Sequence, residues 1–242
     1  MAEVAIRIEG KAKKSFLDDI KDILPDGNLS LCLTCGLCSS GCPATGLKDM
    51  DPRKFLRMLV LGMDEEVMKS DWPWMCTMCQ RCAYVCPMKI NIPQLIYNVR
   101  AARPRDERPA GIRDSCDVAV KSDSCSAMGT PVDDFIFVVN DVLEEYRESQ
   151  PEFADMVAPI DKEGAEFYVN QNSREPMTEP DEMVPLWKIF HLAGVDWTYG
   201  SVGWAAENYC LFLADDTNWE HLVRKKAAQT DKLRCKTYLN TE

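Results

Sequence analysis

The sequence predicts two unlike parts: a mainly α-helical domain folded around clustered cysteines, then a small α/β domain with parallel strands. Three observations carry this expectation. Eight of the 12 cysteines fall between residues 32 and 86, in two copies of the pattern C-x2-C-x2-C-x3-C-P. The gap between the copies shows a helical apolar period rather than strand alternation. From Gly164 onward, strand-like runs take turns with helical ones, as they do where parallel strands are joined by helices.

The first copy is Cys32-Leu-Thr-Cys35-Gly-Leu-Cys38-Ser-Ser-Gly-Cys42-Pro43, and the second is Cys76-Thr-Met-Cys79-Gln-Arg-Cys82-Ala-Tyr-Val-Cys86-Pro87. A cubane cluster offers four iron corners, each wanting one thiolate. Three cysteines spaced by two residues can wrap three corners of one cube from a single tight loop. The fourth, after a longer gap and before a proline, points away. Cysteine-ligated structural zinc uses two well-separated C-x2-4-C pairs. Soft thiolates suit either metal, so spacing decides, and it favours iron–sulfur. A disulfide framework fits less well still, because the start, MAEVAIRIEG, lacks the apolar core of an export signal.

The doubled run resembles that of bacterial two-cluster ferredoxins, in which the fourth cysteine of each run ligates the other cluster. The resemblance implies two 4Fe–4S clusters. Cluster A would take Cys32, Cys35, Cys38 and Cys86. Cluster B would take Cys76, Cys79, Cys82 and Cys42. The crossing would tie the two runs together, so that metal binding becomes folding energy.

Composition narrows the function classes. The 242 residues suffice for one large domain or two small ones, and 46% hydrophobic content is enough for a packed core. The formal charge of −11 argues against nucleic acid as a partner. No apolar run approaches the ~20 residues of a membrane helix. The expectation is a soluble, cytoplasmic chain that meets a membrane only through a partner.

In chain order, Val4, Ile6 and Ile8 alternate as a short strand. Phe16, Leu17, Ile20, Ile23 and Leu24 form one helical face, ended by Pro25-Asp-Gly27. Between the cysteine runs, Asp51 caps and Pro52 opens a helix expected to run to about Lys69, with Phe55, Met58, Leu59, Met63, Val67 and Met68 on one side. Asn91 caps another near Pro93, with Leu95, Ile96 and Val99 inward. Trp72 and Trp74 are expected to pack over cluster B. Residues 104–163 read as a linker with a helical segment at 133–148. Its arginines, Arg105, Arg108 and Arg113 together with the preceding Arg100 and Arg103, read as solvated or, alternatively, as a docking strip for an acidic partner.

From 164, the expected order is strand 166–170, helix 183–193 stopped by Gly194, strand 195–198, helix 205–213, helix from the capping box Thr217-Asn-Trp-Glu220 to about Lys232, and strand 236–240. This is a Rossmann-like arrangement with little core of its own, so another subunit or further chain is expected to complete it. Cys116, Cys125, Cys210 and Cys235 read as small buried hydrophobes. His191 and His221 read as core or capping residues.

With Asp51-Pro52-Arg53 and Trp74-Met75-Cys76, residues 13–103 resemble the α-helical ferredoxin module of heterodisulfide reductase C-type subunits. That module also occurs in anaerobic glycerol-3-phosphate dehydrogenase small subunits and succinate dehydrogenase iron–sulfur proteins. Residues 164–242, through Ala193-Gly-Val-Asp-Trp-Thr198 and Tyr238-Leu-Asn-Thr-Glu242, resemble the opening of a CCG domain of B- and D-type subunits, whose cysteines bind a noncubane 4Fe–4S cluster. No Cys-Cys-Gly occurs here. The resemblance implies an α-helical ferredoxin domain at 1–103 and a partial CCG-like domain at 164–242. It implies an electron-relay subunit of anaerobic metabolism that is not catalytic alone, with a flavin-containing A-like subunit, a CCG-domain subunit, or both as partners. The alternative is the front part of a disulfide or thiol oxidoreductase whose noncubane half is absent from this chain.

Overall fold

The computed structural model describes Phe16 and residues 29–241. The strand expected at residues 4–8 lies outside the described residues. So does the helix expected at 16–24, apart from Phe16, which is helical. The chain divides into two compact units, up to Pro104 and from Arg105 onward.

Among its described residues the first unit has helices and no strands. They are α1 (Leu37–Ser40), α2 (Pro52–Val60), α3 (Asp64–Lys69), α4 (Trp72–Met75), α5 (Arg81–Tyr84) and α6 (Ile92–Ala102). The single helix expected from Pro52 to Lys69 is two. Gly62, at φ +72°, takes the left-handed turn after α2, where its N–H donates to the Leu59 carbonyl and that of Met63 to the Met58 carbonyl. The turn lets α3 fold back, so Phe55, Leu56, Leu59 and Val67 share one core with Ile90, Ile92, Leu95, Ile96 and Val99. Most of the cysteine side chains border that same core.

The second unit contains α7 (Ala110–Lys121), α8 (Val132–Ser149), β1 (Phe167–Val169), β2 (Gln171–Asn172), α9 (Glu175–Thr178), α10 (Val184–Ala193), β3 (Trp197–Tyr199), β4 (Ala205–Ala206), α11 (Tyr209–Leu213), α12 (Asp216–Lys232) and β5 (Thr237–Leu239). Three strands form a parallel sheet in the order β3-β1-β5, and β2 pairs with β4, also in parallel. β2 and β4 are too short to show an alternating pattern. Their residues therefore appear in the sequence as a loop and as the start of a helix.

Residues 105–163 are no linker. Phe135, Val139, Val142 and Leu143 of α8 are buried in one core with Val169 of β1, Trp187 of α10 and Tyr199 of β3. Phe135 stacks on Trp204 at 4.1 Å between centroids and meets Tyr199 edge-on. The sheet's missing cover thus comes from the segment before it. The arginines turn to structure as well. Arg105 pairs with Asp117 and Asp215, and Arg108 donates to the Leu213 and Ala214 carbonyls. The backbone partners of Arg108, at the end of a helix, carry no signal in a linear reading.

Two smaller expectations change. The cap of α12 is Asp215, which accepts from the Asn218 N–H at 3.2 Å, so the expected capping box at Thr217 lies inside the helix. Cys116 and Cys210 are not free hydrophobes but a disulfide joining α7 to α11, with Cα atoms 5.0 Å apart. His191 rests edge-on against Phe153, 3.5 Å from Asp155, and His221 is exposed.

Candidate metal centre

The two cysteine runs adopt one backbone conformation twice. Thr34 and Met78 hold equivalent places, as do Gly36 and Gln80, and all four have positive φ, at +56°, +60°, +83° and +65°. A glycine suits this left-handed position, and the second run tolerates glutamine there at the cost of strain. Each left-handed residue is followed by a single helical turn, α1 in the first run and α5 in the second. The turn carries the third cysteine of the run back toward the first two.

The result is two cavities. Cys32, Cys35, Cys38 and Cys86 line one, together with Leu33, Leu37, Arg53 and Met88. Cys42, Cys76, Cys79 and Cys82 line another, with Met50, Gln80, Arg81 and Ile96. Each takes three thiols from one run and one from the other. Ile92 lines both. Among the described residues no three metal-binding side chains converge as a single-ion site requires; four thiols ring each cavity instead. All-sulfur donors around such a space fit a cubane cluster.

Local chemistry agrees with that fit. Burial pushes the Cys82 thiol up to about 12, and the neighbouring Cys76, Cys42 and Cys38 add to it. Burial also raises Cys76 and Cys38. Thiols gathered this closely resist ionisation on their own, and bound metal is what makes such ligands thiolates. Backbone N–H groups point at sulfur: Ile90 to Cys86 Sγ and Met78 to Cys76 Sγ, each at 3.4 Å. Cys35 and Cys79, the second cysteine of each run, are exposed, and the other six are half-buried.

The supporting residues are partly ones that sequence reasoning passes over. Asp51 does cap α2, accepting from the Arg53 and Lys54 N–H groups at 2.8 and 3.1 Å. It also accepts from the Ser39 hydroxyl at 2.5 Å, which ties the first cysteine loop to the helix start. Arg81 is exposed, lines the second cavity and packs against Gly41. Trp72 and Trp74 line neither cavity. The Trp72 indole donates to the Lys48 carbonyl, and Trp74 lies under Arg100 and Arg103. Arg100, buried on α6, carries no distinguishing signal within its run of arginines.

Burial alone would raise the Asp51 carboxyl, but the Ser39 hydroxyl, the two amides and the Arg53 charge outweigh it and hold it below the usual carboxylate range. A depressed folded-state value means the stabilisation is present above the unfolded value of about 4 and is lost as pH falls through the folded one. Asp51→Ala is therefore expected to cost about 1 kcal/mol at neutral pH. The difference from the parent chain should shrink below about pH 4, as denaturant melts across pH will show.

Residues 28–90 match the family model of the 4Fe-4S dicluster domain. The chain is 28% identical over 101 residues to a protein of Archaeoglobus profundus that is like the C-type subunit of heterodisulfide reductase, covering 41% of this chain and 53% of that one. It is 27% identical over 175 residues to the C-type iron-sulfur subunit of the CoB–CoM heterodisulfide reductase of Methanopyrus kandleri, covering 72% and 80%. It is 30% identical over 92 residues to the C-type subunit of the H2:CoB-CoM heterodisulfide,ferredoxin reductase of Methanothermobacter marburgensis, covering 38% and 49%. In the first and third of these the match spans about half of the relative. The chain thus carries a dicluster domain whose cofactor is two 4Fe–4S clusters, and it is an iron–sulfur protein similar to the C-type subunits of heterodisulfide reductase. Among the described residues no helix is long and apolar enough to cross a membrane.

Proposed function

We propose that this chain is an electron-relay subunit of a heterodisulfide-reductase-like complex, with cluster A on Cys32, Cys35, Cys38 and Cys86 and cluster B on Cys42, Cys76, Cys79 and Cys82. The observation that carries the reading is the pair of cavities, each lined by three cysteines of one run and one of the other. A 4Fe–4S cluster supplies reversible one-electron transfer.

The chain's own residues do the rest. Four thiols at each site occupy every iron corner, which leaves no open metal position for a substrate. Exposed Cys35 and Cys79 offer an edge to a partner at each site, and Ile92 lines both sites, which places them side by side. The N–H groups of Ile90 and Met78 stabilise the extra negative charge on sulfur after reduction. The partners this role calls for are a flavin-containing A-like subunit, a CCG-domain subunit, or both, in a cytoplasmic complex. The parallel β3-β1-β5 sheet supports reading the second unit as a Rossmann-like, CCG-like fold that serves assembly.

Anaerobic purification followed by reductive titration tests the proposal. The expected result is about eight irons and eight sulfides per chain and about two electrons taken up, one per cluster. Catalytic consumption of a disulfide by the chain alone would replace it with the oxidoreductase reading.

A further inference from the structure

We infer that Arg100 sets the potential of the cluster held by Cys42, Cys76, Cys79 and Cys82 and makes it the higher of the two; this rests on the two-cluster reading above. Helix α6 walls the second cavity with Ile92, Pro93 and Ile96. Arg100 follows Ile96 by one turn and is only 1% exposed. Its guanidinium donates through Nε and Nη2 to the Pro73 carbonyl at 2.9 and 2.6 Å. Nη2 also reaches the Cys76 carbonyl at 2.6 Å. The cation is thereby fastened to the backbone of a cysteine that lines the cavity. Trp74 lies 5.3 Å from it and covers it.

The charge is permanent, because a guanidinium keeps its proton in proteins. Reduction adds one negative charge to the cluster, and a fixed positive charge nearby favours that state. The effect grows as the local dielectric falls. Arg100 does not itself line the second cavity but acts on it through Cys76, whereas the cation at the other cavity lines it directly. Its Arg53 side chain is 44% exposed and stands 3.7 Å from the Asp51 carboxylate, so water and an anion both weaken its field. Arg81, on the second cavity, is also exposed and screened by solvent. Burial sets Arg100 apart from both. It is a positioning residue that acts through the field and the Cys76 backbone.

Spectroscopic redox titration of the full chain, prepared without oxygen and with both clusters present, decides the matter. Cys79→Ser marks which paramagnetic signal belongs to the second cluster. Arg100→Gln is expected to shift that cluster's midpoint potential downward and leave the first in place. Arg100→Lys, which keeps the charge but not the fork, should fall between Gln and the parent. If Arg100→Gln fails to load its irons, the parent chain supplies the readout. A buried charge is screened little, so the gap between the two potentials should persist up to ~1 M salt, where the Debye length is only about 3 Å. Unchanged potentials in a fully loaded Arg100→Gln chain, or a gap that closes at high salt, would overturn the inference. A parent chain that holds fewer than two clusters would overturn the underlying reading instead.

Discussion

Cys42→Ser is expected to empty the site built by the other cysteine run. Cys42 belongs to the first run by sequence, but it lines the cavity of Cys76, Cys79 and Cys82. Iron should fall from about eight to about four per chain, and the surviving signal should be that of the Cys32, Cys35, Cys38 and Cys86 site. Cys86→Ser should give the mirror result. The effect on stability should be large as well, because the core residues Ile90, Ile92 and Leu95 pack with the cysteines and metal binding is coupled to their folding. Iron and sulfide analysis, with paramagnetic spectra of each variant, checks this. Loss of the first cluster from Cys42→Ser, with the second intact, would mean that each run closes on itself.

The second large effect belongs to the disulfide of the second unit. Cys116 and Cys210 are fully buried and 94 residues apart in sequence. Closing a loop of that length restricts the unfolded chain, which for about 100 residues is worth about 4–5 kcal/mol. The bond also pins α11 beneath Arg108, whose guanidinium satisfies the carbonyls of Leu213 and Ala214 at the helix end. The double variant Cys116→Ala/Cys210→Ala is expected to unfold at a clearly lower urea concentration. The parent chain unfolded in excess dithiol should move toward the same midpoint, and the first unit's iron content should not change in the variant. Coincident urea midpoints for variant and parent would mean that the two sulfurs contribute as separate thiols.

Some of this protein is legible in one dimension because the physics is local. Asp51 and Asn91 cap their helices as their positions suggest, since an N-cap needs only the next few amides. Gly194 ends α10 for the same kind of reason. The strands at 167–169, 197–199 and 237–239 announce themselves by aromatic and β-branched content. Other features depend on partners far away in the chain. α8 reads as a helix in a linker because its apolar stripe says that it is buried, not against what; Tyr199 and Trp204 supply the answer 60 or more residues later. Likewise Arg100 is one of several arginines in the sequence, and its burial in the fold, with the guanidinium on the Pro73 and Cys76 carbonyls, is what sets it apart.

The cofactor chemistry can be read from the chain before any folding is considered, because cluster ligation depends on thiols at short fixed spacings. The helical character of the cysteine domain and the parallel strands after Gly164 are readable in the same way, from periodicity and from strands that alternate with helices. Three outcomes needed the folded molecule: which cation lies buried beside which cysteines, that residues 105–163 cover the sheet, and that Cys116 meets Cys210. They arise from long-range packing, where burial changes the strength of a charge, and the neighbours that bury it come from distant positions in the sequence.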